Sequence, residues 1–308
     1  MSSGRPAVAA LIALALVAGC APHRENGAGA HAAKNAGSES TGSAQNVGSP
    51  QRSTTLQGRR IAYVDHGSGK DAVLFVHGWA GTHRIWKKQL PPFAESHRVL
   101  ALDLPGHGSS EEPADGYTMD LFADAVAAVL DDAGIDKAVL VGHSNGVPVI
   151  RQFYRRYPER TRGLIAVDGA FRAMFPPEIQ KRFLGRFRSE YWEDNVQAFI
   201  DGFPRFSLSE EDFQEIRADA VAQPQHAILG NLEATMEQEI WKQDPIDCPL
   251  LVVNAVQPAW TAEYEQFVRS LAPQVDYRMV SGASHFLMRD RADELNGLIR
   301  EFLASRKP

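Results

Sequence analysis

The chain has 308 residues, with 32 Lys plus Arg against 38 Asp plus Glu, a formal charge of −6. The first 53 residues hold four basic and two acidic side chains, so the part from Thr54 onward carries −8 and has no basic block, which argues against a nucleic-acid partner. Two cysteines, Cys20 and Cys248, exclude a disulfide framework and a cysteine-rich zinc site.

In chain order, Arg5 precedes an unbroken apolar run of twelve residues, Ala7 to Ala18. A membrane-spanning helix needs about 20 apolar residues, so the run reads as a secretory signal. Its end, Val17-Ala18-Gly19-Cys20, resembles the lipobox of bacterial lipoproteins. That resemblance implies removal of residues 1–19 and a lipid on Cys20, hence a domain held at a membrane outside the cytoplasm. Residues 20–53 read as a flexible tether: from Ala21 to Ser53, 17 of 33 are Ala, Gly or Ser and none is aromatic. As a coil it would span roughly 30 Å.

From Thr54 to the end, short apolar runs alternate with amphipathic stretches. Strands are expected at Arg60–Val64, Ala72–Val76, Arg98–Leu102, Lys137–Val141, Leu164–Val167, Leu250–Val253 and Gln274–Val280. Helices are expected near Met119–Ala133, Gly146–Tyr157 and Ala292–Ala304, with another starting near Thr261. Runs without polar alternation are strands buried on both faces, so the pattern predicts an α/β fold with a mostly parallel sheet flanked by helices. Such sheets place their sites beyond the carboxyl ends of the strands, where His77, Asp103, Ser144, Asp168 and His285 all fall. Residues 170–241 break the alternation. They show no convincing strand and hold 11 of the 27 aromatics, which predicts a helical lid over that edge.

The most specific motif is Gly142-His143-Ser144-Asn145-Gly146, which follows a buried strand and opens a helix. A serine on so sharp a turn needs small neighbours, and the helix N-terminus beside it offers free N–H groups to developing negative charge. Together with Phe75-Val76-His77-Gly78-Trp79, Asp103-Leu104-Pro105-Gly106-His107-Gly108 and Gly282-Ala283-Ser284-His285, the motif resembles the α/β-hydrolase fold family from about Thr55 to the C-terminus.

The resemblance implies Ser144 as nucleophile, His285 as its base, and the main-chain N–H groups of Trp79 and Asn145 as the oxyanion hole. His77 and His107 are expected to be structural, and Asp103 to cap the turn after its strand. His77 and His83 have no carboxylate at ligand spacing, so neither a metal nor a cofactor is expected.

The acid of the triad is less direct. The family usually places it after the strand that here is Leu250–Val253, but the following Asn254-Ala255-Val256-Gln257-Pro258-Ala259-Trp260 has no carboxylate. Gln257 is there as an uncharged acceptor for the imidazole. Asp168, one strand earlier, is favoured over Glu263 or no acid at all. The whole reads as a lipid-anchored serine hydrolase acting on small or medium, partly apolar carboxylic esters. Lactone-, amide- and carbon–carbon-cleaving relatives share the serine. Epoxide hydrolases and haloalkane dehalogenases place aspartate at the elbow, so Ser144 argues against them. A binding or sensor protein with little turnover is the alternative from another class.

Overall fold

The computed structural model describes residues 51–305. The expected signal, Cys20 and nearly all of the 20–53 tether lie outside the described residues. The chain folds around one eight-stranded sheet: β1 (Gln51–Leu56), β2 (Arg59–His66), β3 (Ala72–Val76), β4 (Arg98–Leu102), β5 (Ala138–His143), β6 (Thr161–Val167), β7 (Leu250–Ala255) and β8 (Asp276–Val280). The spatial order is β1-β2-β4-β3-β5-β6-β7-β8. The β1–β2 and β2–β4 pairs are antiparallel, and every pair from β4 across to β8 is parallel.

Central strands are buried along their length, as their unbroken apolar runs require. Alternate residues of one strand serve opposite cores. Leu74 and Val76 of β3 join one, while Val73 and Phe75 join the other; Leu140 and Val141 of β5 divide in the same way. On one face pack α2 (Met119–Asp132), α3 (Gly146–Arg156) and α8 (Ala262–Leu271), through Phe122, Ile150 and Val268. On the other pack α1 (Leu90–Ala94) and α10 (Ala292–Ala304), through Phe93 and Ile299. A single turn, α9 (Leu287–Asp290), precedes α10.

Between β6 and β7 the chain forms four helices, α4 (Pro177–Phe187), α5 (Trp192–Asp201), α6 (Glu210–Val221) and α7 (Gln225–Ala234), then a short 3-10 turn at Gln238–Trp241. Ser209 starts α6 by accepting the N–H of Asp212 at 3.1 Å. Among the described residues no helix is long and apolar enough to cross a membrane.

The boundary between tether and domain differs from the sequence reading. The sheet begins at Gln51, inside the segment expected to be tether up to Ser53. As an edge strand, β1 half-buries one face only, and Arg52 ties it down by pairing with Asp65 at 2.8 Å and Asp132 at 3.1 Å. Its polar composition hid it, because an edge strand needs only every second residue on the core.

Candidate active site

Three strand ends build the site. At the end of β5, Ser144 holds φ +52°, a left-handed backbone that costs a residue with a side chain roughly 1 kcal/mol. The flanking glycines permit the turn: a Cβ on Gly142 would lie 2.4 Å from the carbonyl oxygen of Gly146, and one on Gly146 would lie 2.6 Å from that of Val76. The Ser144 N–H donates to Val167 O at 3.0 Å, and its carbonyl accepts from Val147 in the first turn of α3. The serine therefore stands at a helix N-terminus, locked to the neighbouring strand.

At the end of β6, Asp168 is also left-handed, at φ +43°. Its side chain is 0% exposed, and Oδ2 accepts from His285 Nδ1 at 2.6 Å. A carboxylate has no proton to give, so Nδ1 carries the hydrogen and Nε2 is left to accept one. His285 lies on the loop between β8 and α9, where Ser284 N donates to Asp290 Oδ2 at 2.7 Å and Phe286 N to Ser284 Oγ at 3.0 Å. The imidazole is stacked by Phe203 of the lid, with centroids 4.6 Å apart and planes 9° from parallel.

Trp79 and Asn145 flank the serine and line the same cavity. Among the described residues, neither main-chain N–H has an acceptor within the protein. Their side chains are occupied elsewhere: Trp79 Nε1 donates to Ile228 O at 2.9 Å and Asn145 Nδ2 to Asn231 Oδ1 at 3.0 Å, both on α7. His77 fixes the loop carrying Trp79. Its Nε2 accepts from Leu104 N at 3.0 Å and its Nδ1 faces Gly78 O at 2.8 Å, while burial lowers its basicity and keeps it neutral.

Asp103 accepts the N–H groups of Ser109 at 2.9 Å and His83 at 2.8 Å, and pairs with the His83 ring at 2.8 Å. Burial pushes its carboxyl up, but the His83 contacts outweigh that and hold it down at about 2. The sequence placed Asp103 as a turn cap and weighed His83 only as a metal ligand, missing its pairing with Asp103. His107, buried beside His77, is pushed down to about 3.

The other candidates for the acid have different partners. Glu263 is 82% exposed and lies 3.7 Å from Arg172. Gln257 does not accept from the imidazole; its amide donates to Asp168 Oδ2 at 2.9 Å. Two further residues escaped the sequence reading. Trp260 Nε1 donates to Asp168 Oδ1 at 2.8 Å. His143 Nε2 lies 2.9 Å from the carbonyl oxygen of His285, and burial drives its basicity well down, with His285 adding to the effect. That neutral ring donates to the histidine loop and ties it to the elbow.

The cavity over Ser144 is about 220 Å³. Its walls are mostly apolar and come largely from the helical segment, where Phe175, Phe183, Phe199, Met236 and Trp241 line it together with Ser144 and His285.

Known proteins place this architecture. The sequence profile of the alpha/beta hydrolase fold matches residues 71–208. The chain is 39% identical over 113 residues to the dihydrolipoyllysine-residue acetyltransferase component of the acetoin cleaving system of Cupriavidus necator, but that match covers 37% of this chain and only 30% of the relative. It is 27% identical to epoxide hydrolase 4 of Mus musculus over 80% of this chain and 77% of that one. The structure of a thermophilic esterase from Thermogutta terrifontis superposes with a TM-score of 0.72 at 26% identity, covering 84% of this chain and 99% of the other. The chain has the α/β-hydrolase fold.

Proposed function

We propose that the protein hydrolyses carboxylic esters of small or medium, partly apolar substrates through an acyl-serine intermediate. The observation that carries this is the Ser144, His285 and Asp168 constellation on three strand ends, under a cavity with apolar walls. Ser144 attacks the ester carbonyl while His285 Nε2 takes its proton. The oxyanion receives the free N–H groups of Trp79 and Asn145. The imidazolium, stabilised by Asp168, returns the proton to the departing alkoxide. Water activated by the same nitrogen then releases the acid.

Relatives include a named epoxide hydrolase, but the nucleophile separates the chemistries. A carboxylate opened onto an epoxide forms an ester that water can cleave, whereas Ser144 would form an ether, which imidazole and water cannot. Lactones differ from open esters only in the tether between acyl and alcohol, so they belong to the same substrate class.

Cys20 is the proposed lipid attachment point, holding the hydrolase at a membrane outside the cytoplasm. A Cys20→Ser variant that still partitions to the membrane fraction after normal processing would overturn the anchor. For the activity, the purified protein is tested on a panel of p-nitrophenyl esters, lactones and amides, with fluorophosphonate labelling of Ser144 in parallel. Ester turnover together with labelling of Ser144 is expected. Tight binding of the panel with neither turnover nor labelling would instead favour a binding protein.

A further inference from the structure

The loop after β7 lacks a carboxylate, yet it is built around one. Asp168 Oδ1 accepts the Ala255 N–H at 2.9 Å and the Trp260 indole N–H at 2.8 Å, while Oδ2 accepts the Gln257 amide at 2.9 Å and His285 Nδ1–H at 2.6 Å. A carboxylate offers about four acceptor sites, and here four donors fill them. Three of the four come from residues 255–260. Gln257-Pro258-Ala259-Trp260 is a turn closed by Trp260 N donating to Gln257 O at 3.1 Å, with proline in its second position. One rigid turn thus presents both side-chain donors at once.

The need for them follows from torsional freedom. The last torsion of an aspartate is broad and roughly two-fold, so burial alone does not decide which way the carboxylate plane faces. Donors on both oxygens do. With Oδ1 held by Trp260 and Oδ2 by Gln257, the carboxylate plane is fixed and Oδ2 is left directed at His285.

We infer that Gln257 and Trp260 are positioning residues for the acid: from the loop after β7 they orient a carboxylate supplied by β6. This rests on the triad reading above.

The test uses Gln257→Leu, Trp260→Phe and the double variant of the full chain. Three quantities are followed: kcat and KM for a short acetate ester, the pH profile of kcat/KM, and the downfield proton resonance of His285 Nδ1–H. Gln257 is only half-buried, so leucine there leaves the core intact, and thermal melting checks the fold of each protein. Loss of one hydrogen bond to a charge should lower kcat on the order of tenfold. KM is read separately from kcat, because Gln257 and Trp260 also line the cavity. The Nδ1–H resonance should move upfield or broaden in each variant, more so in the double. Unchanged kcat and an unmoved resonance in both single variants would overturn the inference. So would a fall in kcat with the resonance in place, because that pattern marks a merely structural role. Should the parent turn over no ester, the ester reading fails while the resonance still decides the positioning of Asp168.

Discussion

The strand ends and the helices above them meet at one cavity, but they are specified in different ways. At the sheet edge the backbone dictates the residue. Ser144 and Asp168 occupy left-handed positions, glycines 142 and 146 have no room for a side chain, and His77 bridges two loops with both ring nitrogens. Few residue types satisfy such constraints. In the helical segment the constraint is volume. Phe183, Phe187 and Phe199 surround Trp79 at centroid distances of 4.9–6.3 Å, where a side chain of similar size would serve. The proposed chemistry thus sits on positions the backbone constrains, while the cavity walls lie in the part that tolerates exchange.

The sharpest test of this division is Ser144→Ala. Losing the nucleophile of a triad costs a factor on the order of 10⁶ in turnover. The melting temperature should not fall, because the packing is kept. An alanine variant hydrolysing activated esters at near the parent rate would place the chemistry elsewhere.

Next comes the acid. Asp168→Asn keeps the shape but favours the wrong imidazole tautomer, so kcat should drop by a factor on the order of 10⁴. Glu263→Gln, on an exposed side chain 3.7 Å from Arg172, should change kcat by less than about twofold. Steady-state kinetics on both variants would expose the opposite pattern.

The same division explains what the sequence disclosed. The serine elbow was readable because it answers a local demand of the backbone at a strand end, the histidine segment because it resembles the family's, and Asp168 because residues 254–260 offer no carboxylate. The helical character and aromatic density of residues 170–241 were readable too, but not the stacking of Phe203 on His285. That contact depends on how α5 and α6 are placed, and nothing local to Phe203 marks it. Gln257 was noticed for the right reason, a polar residue where an acid is usual, and given the wrong role, because its partner lies 89 residues away. Trp260 and His143 carried no signal of their own; an indole and an imidazole beside an apolar core suit packing equally well.

Charge as well as volume fixes the lid, and one such contact lies beside the histidine loop. Arg289 on α9, four residues after His285 and only 1% exposed, donates through Nε to Asp212 of α6 at 3.0 Å and also pairs with Glu215. Lys88 reaches the other oxygen of Asp212 at 2.6 Å. Burial raises the Asp212 carboxyl, but Lys88 and Arg289 outweigh that and keep it well below the usual carboxylate range. Breaking a buried pair by removing one partner costs about 3 kcal/mol or more. Arg289→Met should therefore lower the denaturant midpoint by a matching amount. It should also raise KM for apolar esters more than for acetate esters, since α6 would no longer be tied to the histidine loop. A midpoint unchanged from the parent would mean that Arg289 does not hold the lid.

The smallest effect belongs to Asp103, which supports the site without touching the cavity. Its folded pKa of about 2 lies below the ordinary value of 3.8. A depressed carboxyl stabilises the fold at pH values above the unfolded pKa, and that contribution disappears as pH falls through the folded one. The window therefore runs from about pH 4 down to about pH 2. A tenfold change in acidity is worth roughly 1.4 kcal/mol, so at neutral pH the contribution is about 2 kcal/mol. Asp103→Asn should lose that amount at pH 7, and its stability deficit against the parent should shrink towards zero near pH 2. Because Ser109 and His83 also give their main-chain N–H groups to this carboxylate, the deficit should persist into mildly alkaline solution. Denaturant titrations of both proteins near pH 2, 5 and 8 would show it. A deficit that is equal at all three values would mean Asp103 acts through its shape and not its charge.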